Sequence, residues 1–456
     1  MGISKSDPII IVGAGAFGLS TAYHLTLAGY TDISVYDKHD EIPPQESAAN
    51  DINKIMRAEY EDPFYTDLTL VSHTVHHITR PNRSRISQQV KEAVKAWKSP
   101  LFAPHWHQVG FLHCVSEEAP VRAVETLQRF QKAAERSPTL AKHVIPISGG
   151  KDIEDNVWQY KAGPCSGWKG YLNTFDGYVH SGNALIALYK ATQVRGVKFF
   201  LGQHGAVKEI VYQNTPGGRK ATGIRTQKGP LVTAKLVIVA VGAAAGRLVP
   251  ECGKQVVAKS WSVAHVKLTD DETSALRGIP VTYARDFGFF FEPDPKTNLL
   301  KLCPMGGGYV NTDPKTGVSL PPSHADSAFM PLHDQQKVRK LLSQTLPELA
   351  NRPVVKQTLC WFADTNDSDF IIDYVPNSNS SVVLMSGDSG HAAKLIPLIG
   401  DWVKNLLEAA DDKQPVQRWR WKETDDKDGK WGDTVSWRLG NTTEFAELQN
   451  PKASRL

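Results

Sequence analysis

Little in this chain favours a cross-linked, membrane-embedded or nucleic-acid-bound protein. Its 456 residues hold five cysteines, an odd number, widely spaced and without a CxxC pair. That excludes a disulfide scaffold and a zinc ribbon, predicts no metal ligands, and points to a reducing compartment. The two longest near-continuous apolar and glycine stretches, residues 9–19 and 236–246, are eleven residues each. A membrane span needs about 20, so none is expected. Charge of one sign is also scarce: Lys+Arg 52 against Asp+Glu 48 leaves +4, too little for a nucleic-acid footprint. At 41% apolar and 22% charged the chain reads as an ordinary globular protein, long enough for two or three domains.

The termini suggest addresses. The start, Met1-Gly2-Ile3-Ser4-Lys5-Ser6, lacks a signal peptide's apolar stretch and cleavage site. It fits the loose myristoylation pattern at Gly2, although a polar lead-in to a buried strand is the plainer reading. The end, Ser454-Arg455-Leu456, is the arginine form of the S-K-L tripeptide. It predicts a peroxisomal location and a peroxisomal import receptor as partner, with the cytoplasm otherwise; the signal gains weight if hydrogen peroxide is a product.

What is present starts at Pro8. A β-branched run leads into Gly13-Ala-Gly15-Ala16-Phe17-Gly18 and a helical pattern, and a second strand, 32–37, ends in Asp37, 19 positions past Gly18. Gly13 permits the tight turn, Gly15 lets backbone approach a pyrophosphate, Gly18 lets helix pack on strand, and Asp37 can accept ribose hydroxyls. Strand, motif, helix, strand and acid in that order are a strong dinucleotide signal. The fingerprint alone does not choose between FAD and NAD, which share an ADP half.

Further strands are expected at 197–201 and 236–242, helices at 121–137, from Asn183, and at 395–410. The predicted fold class is α/β (α+β), a Rossmann-like nucleotide-binding domain with an inserted mixed or antiparallel sheet domain. The expected division is 1–50, 150–250 and 355–410 for the first, 51–149 and 251–354 for the second, and 411–456 as a tail closing on the substrate side. Trp419, Trp421, Trp431 and Trp437 read as packing in that tail.

Four blocks carry a resemblance over nearly the whole chain: 8–37; Asn50-Asp51-Ile52-Asn53-Lys54-Ile55-Met56-Arg57-Ala58-Glu59-Tyr60; Cys360-Trp-Phe-Ala-Asp364-Thr through Asp373; and Gly387-Asp388-Ser389-Gly390-His391-Ala-Ala-Lys394 through Gly400. The chain resembles the flavin amine oxidases of the monomeric sarcosine oxidase group, with the fructosyl amino acid oxidases (amadoriases) and the saccharopine and pipecolate oxidases. The resemblance implies FAD, bonded covalently through Cys360, and oxidation of a C–N bond with O2 reduced to hydrogen peroxide. It implies that Lys301 faces the flavin and activates oxygen, that Lys394 and Arg57 hold the substrate carboxylate, and that Lys54 lies beside the flavin. Cofactor contacts are implied at Gly13, Gly15, Ala16, Phe17, Gly18, Asp37, Lys38, Asn53, Lys54, Val207, Cys360, Asp388, Gly390 and Lys394. Strand alternation puts Lys301 with Leu299 and Cys303 rather than in solvent. Cys114, Cys165, Cys252 and Cys303 read as structural thiols.

No base is required if the site binds an uncharged amine and excludes water; Tyr60, His113 and His391 are candidates for tuning, and Asp364 for a flavin or backbone bond. The amadoriase pattern continues Cys-Asp-Glu after the oxygen lysine, with the glutamate on the sugar. Here it is Cys303-Pro304-Met305, and methionine cannot usefully accept hydrogen bonds from a polyol. A small-molecule secondary amino acid therefore fits better: an N-methyl amino acid, pipecolate or saccharopine. Arg438 resembles, one residue out of register, an amadoriase carboxylate-binding arginine. The expected protein is a monomer using that amino acid and O2. A fructosyl amino acid oxidase, a natural-product tailoring oxidase, an NAD-dependent dehydrogenase and a non-catalytic scaffold are the alternatives.

Overall fold

The computed structural model describes residues 2–70, 93–253, 255–422, 431, 435 and 438–448. Trp437 and the 454–456 tripeptide lie outside them. The chain begins with β1 (Ile9–Val12), α1 (Ala16–Leu27) and β2 (Ile33–Tyr36). Every residue of β1 is buried because both faces of its sheet are covered, which is why it reads as an unbroken apolar run. Ile9 and Ile11 pack with Leu19, Ala22 and Leu25 of α1, while Ile10 and Val12 pack with Ile210, Ala221 and Ile224 of a three-stranded antiparallel sheet.

The sheet has six strands in the order Ile371–Tyr374, Val382–Ser386, Leu236–Val239, β1, β2, Lys198–Phe200. All neighbours are parallel except the first pair. A second, mixed sheet of ten strands is centred on Val257–Lys267, which pairs with Leu299–Pro304 on one side and Val354–Asp364 on the other. The fold is thus a Rossmann-like α/β unit joined to a mixed-sheet unit. They meet where Ala363 and Asp388 bond: Ala363 N donates to Asp388 Oδ2 at 2.9 Å and Ser389 N donates to Ala363 O at 2.8 Å. A small sheet of Lys54–Met56, Gly177–Val179 and Trp106–His107 lies beside them.

Two sequence expectations change. Lys169–Asn173, and Val354–Asp364 from its second residue on, fall within segments assigned to the nucleotide domain, yet both are strands of the ten-stranded sheet. Alternation marks a strand but not its partner, and these partners, Phe111–Val115 and Val257–Lys267, are distant in sequence. The helix expected at 395–410 is Ile399–Leu407, preceded by a single 3-10 turn, Ala393–Leu395. Pro397 has no N–H with which to extend the ladder back to Ala393.

Close helix crossings need glycine. A Cβ on Gly18 would sit 1.8 Å from the Gly13 carbonyl oxygen, and one on Gly400 would sit 2.0 Å from the Ser20 carbonyl oxygen. Because both obstacles are backbone, Gly18→Ala is expected to destabilise the protein by roughly 3 kcal/mol or more. A urea unfolding midpoint unchanged from wild type would contradict this.

Candidate active site

The β1–α1 turn is shaped for a phosphate-bearing ligand. Gly13 has φ +108°, and a Cβ there would lie 2.4 Å from Ala240 O. Gly15 caps α1 without a side-chain bond, leaving helix N–H groups for an anion; Ala16 opens the helix and Phe17 meets Phe370 edge-on at 6.2 Å. Asp37 is fixed at the end of β2, accepting from Ala14 N at 2.8 Å and His39 N at 2.9 Å. Lys38 ion-pairs with Glu46 nearer solvent. Val207 begins the Val207–Thr215 strand, two residues past Gly205, where a Cβ would lie 2.4 Å from Asp37 O.

Beyond this turn, the 50–60 segment carries two clusters. In the first, one carboxylate serves two lysines. Asp51 ion-pairs with Lys301 and accepts from Lys54 Nζ at 2.5 Å, and Lys301 Nζ also donates to Asn53 O at 2.9 Å. Lys301 is buried on the Leu299–Pro304 strand, its ammonium 5.0 Å from the centre of the Phe291 ring. Burial alone would raise the Asp51 pKa, but Lys301 and Lys54 overcome it and hold the carboxyl well below its ordinary range. Burial would likewise lower Lys54, but Asp51 carries it above the usual lysine range. Cys360 acts electrostatically on Lys54 and on Cys303, so the thiol belongs to this cluster. It pairs with Trp261 across the strands; Trp261 stacks on Phe362 at 4.6 Å, and a Cβ on Gly390 would lie 2.8 Å from the Trp261 ring. The Asn53 side chain donates to Glu292 O at 3.3 Å, while its Oδ1 is buried with no partner among the described residues. A buried acceptor left open suits a ligand N–H.

In the second cluster, cations and rings alternate. Arg285 lies 5.7 Å from the centre of the Phe130 ring; Arg57 lies 4.3 Å from that ring and 5.0 Å from Tyr60; Lys394 lies 4.4 Å from Tyr60 and bonds its hydroxyl. Among the described residues, neither Arg57 nor Lys394 has a carboxylate partner. Burial pulls the Lys394 pKa well below the lysine range, Arg57 lowers it further, and Glu59 opposes this. Burial also lowers His113, helped by Arg285 and Arg57, and brings His391 down to about 4. Both histidines are neutral here. Lys54 and Arg57 are three residues apart, so their backbones are separated by at most roughly 10 Å.

Asp364, the candidate for a flavin or backbone bond, lies 3.5 Å from Lys259 Nζ and accepts from Arg438 Nη2 at 2.5 Å. Arg438 is buried and also bonds Thr365 O, Asn366 O and Ser368 Oγ. Asp388 accepts from Gly390 N at 3.1 Å, and burial raises its pKa to about 6. The sequence reading missed Asp51, Glu59 and Arg285. The first had a local signal, an acid three residues before Lys54, but the others are brought in only by folding.

A glycine turn suited to phosphate, an acid fixed at the end of β2 and a buried group of basic side chains together suit a dinucleotide-dependent redox enzyme. A family model for FAD dependent oxidoreductases matches residues 8–406, and the chain belongs to that family. It is 31% identical over 438 residues to the L-saccharopine oxidase of Schizosaccharomyces pombe, covering 92% of this chain and 94% of the relative. It is 26% identical to amino acid oxidase imqH of Aspergillus flavus, covering 89% and 93%. The fructosamine oxidase (Amadoriase II) of Aspergillus fumigatus superposes with a TM-score of 0.83 at 28% identity, over 98% of this chain and 97% of that one. FAD is therefore the cofactor the turn receives, and the NAD and scaffold alternatives fall away.

Removing Asp51 leaves two lysines unpaired. Asp51→Asn is expected to cost about 3 kcal/mol at pH 7. A carboxyl with a depressed folded pKa stabilises above its unfolded value, near 3.9, and loses that contribution as pH falls toward the folded value. The gap between wild type and variant should therefore shrink below pH of about 4 in urea titrations; a pH-independent gap would refute the shared ion pair.

Proposed function

We propose that this enzyme oxidises a secondary amino acid, taking hydride from the carbon next to nitrogen and passing electrons to O2. The products are hydrogen peroxide and an imine that is hydrolysed or cyclised. The observation that carries this is the pair Arg57 and Lys394, two basic side chains with no carboxylate partner among the described residues, close in space to the Lys54–Lys301 pair and, at Arg57, in sequence. When bound, FAD supplies the two-electron acceptor and the route to oxygen. Arg57 and Lys394 bind the substrate carboxylate, the planar guanidinium suiting a bidentate grip. Lys301, anchored to Asn53 O, places positive charge where oxygen gains negative charge. Cys360 is the site of covalent attachment.

The wall of the site bears on the substrate. Met305 is buried with Phe111, Tyr178, Tyr283 and Phe291, an apolar surface that suits an alkyl or extended N-substituent and offers a sugar little. The similarity to a saccharopine oxidase supports the same class. Peroxide production also accords with Ser454-Arg455-Leu456 as a peroxisomal address, read by an import receptor on a monomer.

A peroxide-coupled screen of sarcosine, pipecolate, saccharopine, N-methyl aromatic amino acids and fructosyl amino acids tests this. Turnover of secondary amino acids is expected; turnover of fructosyl amino acids alone would overturn it. Arg57→Met should lower kcat/KM about 30-fold, the value of a charged hydrogen bond worth about 2 kcal/mol. Lys301→Met should slow reoxidation by O2 about 100-fold with little change in anaerobic reduction. Flavin should stay with acid-precipitated wild type and leave Cys360→Ala; a dye retained by the variant rules out the linkage.

A further inference from the structure

We propose that Lys394 takes the proton from the substrate's ammonium as the carboxylate binds, so that the zwitterion becomes an uncharged amine inside the site. The inference rests on the function proposed above. An amino acid arrives with nitrogen protonated, and a protonated nitrogen has no lone pair to support hydride loss from its neighbour carbon. Something must accept that proton in a pocket closed to water.

The hydrogen-bond order leaves Lys394 able to do so. His391 Nε2 faces Ser368 O at 2.8 Å and must donate to it, which makes Nδ1 an acceptor for the Tyr60 hydroxyl at 3.4 Å. With its proton aimed at His391, the Tyr60 oxygen accepts from Lys394 Nζ. A neutral lysine amine that donates to Tyr60 keeps its lone pair free. The charged groups facing it are Arg57 and Glu59, and Glu59 is buried and bonded by Tyr171 Oη at 2.9 Å and Asn173 Nδ2 at 3.1 Å. Trp97 Nε1 donates to the Lys394 carbonyl at 2.6 Å and fixes the turn.

Burial beside Arg57 disfavours an ammonium at Lys394 in the empty site. An incoming carboxylate reverses that, since it gives the lysine an anionic partner. The same binding event brings the substrate ammonium toward Arg57, where it is disfavoured. One N–H bond of the ammonium breaks, its electron pair stays on the substrate nitrogen, and a new N–H bond forms at Lys394 Nζ. No electron changes hands, and no proton need enter or leave the protein.

Calorimetric titration of the flavin-loaded protein near pH of about 8, in buffers of different ionisation enthalpy, counts protons exchanged on binding. Cyclohexanecarboxylate, which brings no proton, should draw about one proton per site from the buffer. The zwitterion 2-aminoisobutyrate, which has no hydrogen on its α-carbon to lose, should draw almost none. Lys394→Met should abolish the uptake, and Lys394→Arg, charged throughout, should bind the carboxylate without it. Equal uptake for both probes, uptake that persists in either variant, or no binding of either probe overturns the proposal. An enzyme that fails this test yet oxidises secondary amino acids loses only the proton transfer; one that oxidises none loses the function itself.

Discussion

The site depends on burying more positive than negative charge. Lys54 and Lys301 share Asp51, Lys259 and Arg438 share Asp364, and Arg57 faces aromatic rings beside Lys394, whose ammonium form burial disfavours. Each desolvated cation is costly without a counter-charge, so the arrangement persists only because the surrounding sheets fix it. On the function proposed, the cost is offset by what binds: a carboxylate on the substrate and negative charge developing on oxygen. A site so prepared is electrostatically preorganised, and rings at cation–π distance soften the desolvation meanwhile.

Architecture explains how one short segment can serve both clusters. The 50–60 chain leaves the nucleotide unit, gives Asp51 and Lys54 to the lysine of the large sheet, and then gives Arg57 and Tyr60 to the turn that follows Gly390. The junction where Ala363 donates to Asp388 and accepts back from Ser389 N joins the strand of Cys360 to the Gly387–Lys394 turn. A shift of either sheet would move both ends of the site together. That coupling suits a reaction in which substrate, flavin and oxygen must be held at once.

Substrate selection follows a different logic from charge. The same TM-score that places this backbone beside a fructosamine oxidase says nothing about the pocket wall, since function resides in sites carried by folds. In this chain Met305 lies among four aromatic rings. A methionine adapts to irregular apolar shapes, which suits an extended N-substituent better than a hydroxylated one.

The glycine fingerprint, the acid at the end of β2 and the apolar β1 were legible in the sequence because each obeys a local rule of turn geometry or burial. Lys301, Lys394, Arg57 and Cys360 are singled out only through resemblance, since a lone lysine or cysteine carries no chemistry in its spacing. The apolar pattern after Lys394 does not show that the helix starts only at Ile399, past Pro397, and the sheet membership of Lys169–Asn173 and Val354–Asp364 is not readable locally, because pairing is long-range. Composition and motif thus determined the class of cofactor and the nucleotide turn. Tertiary structure alone decided that Asp51 serves two lysines, that Asp364 is taken by Arg438 and Lys259, and that Arg57 and Lys394 have no carboxylate ion-pair partner among the described residues. Charge pairing depends on distances through space, and those are settled only when remote strands meet.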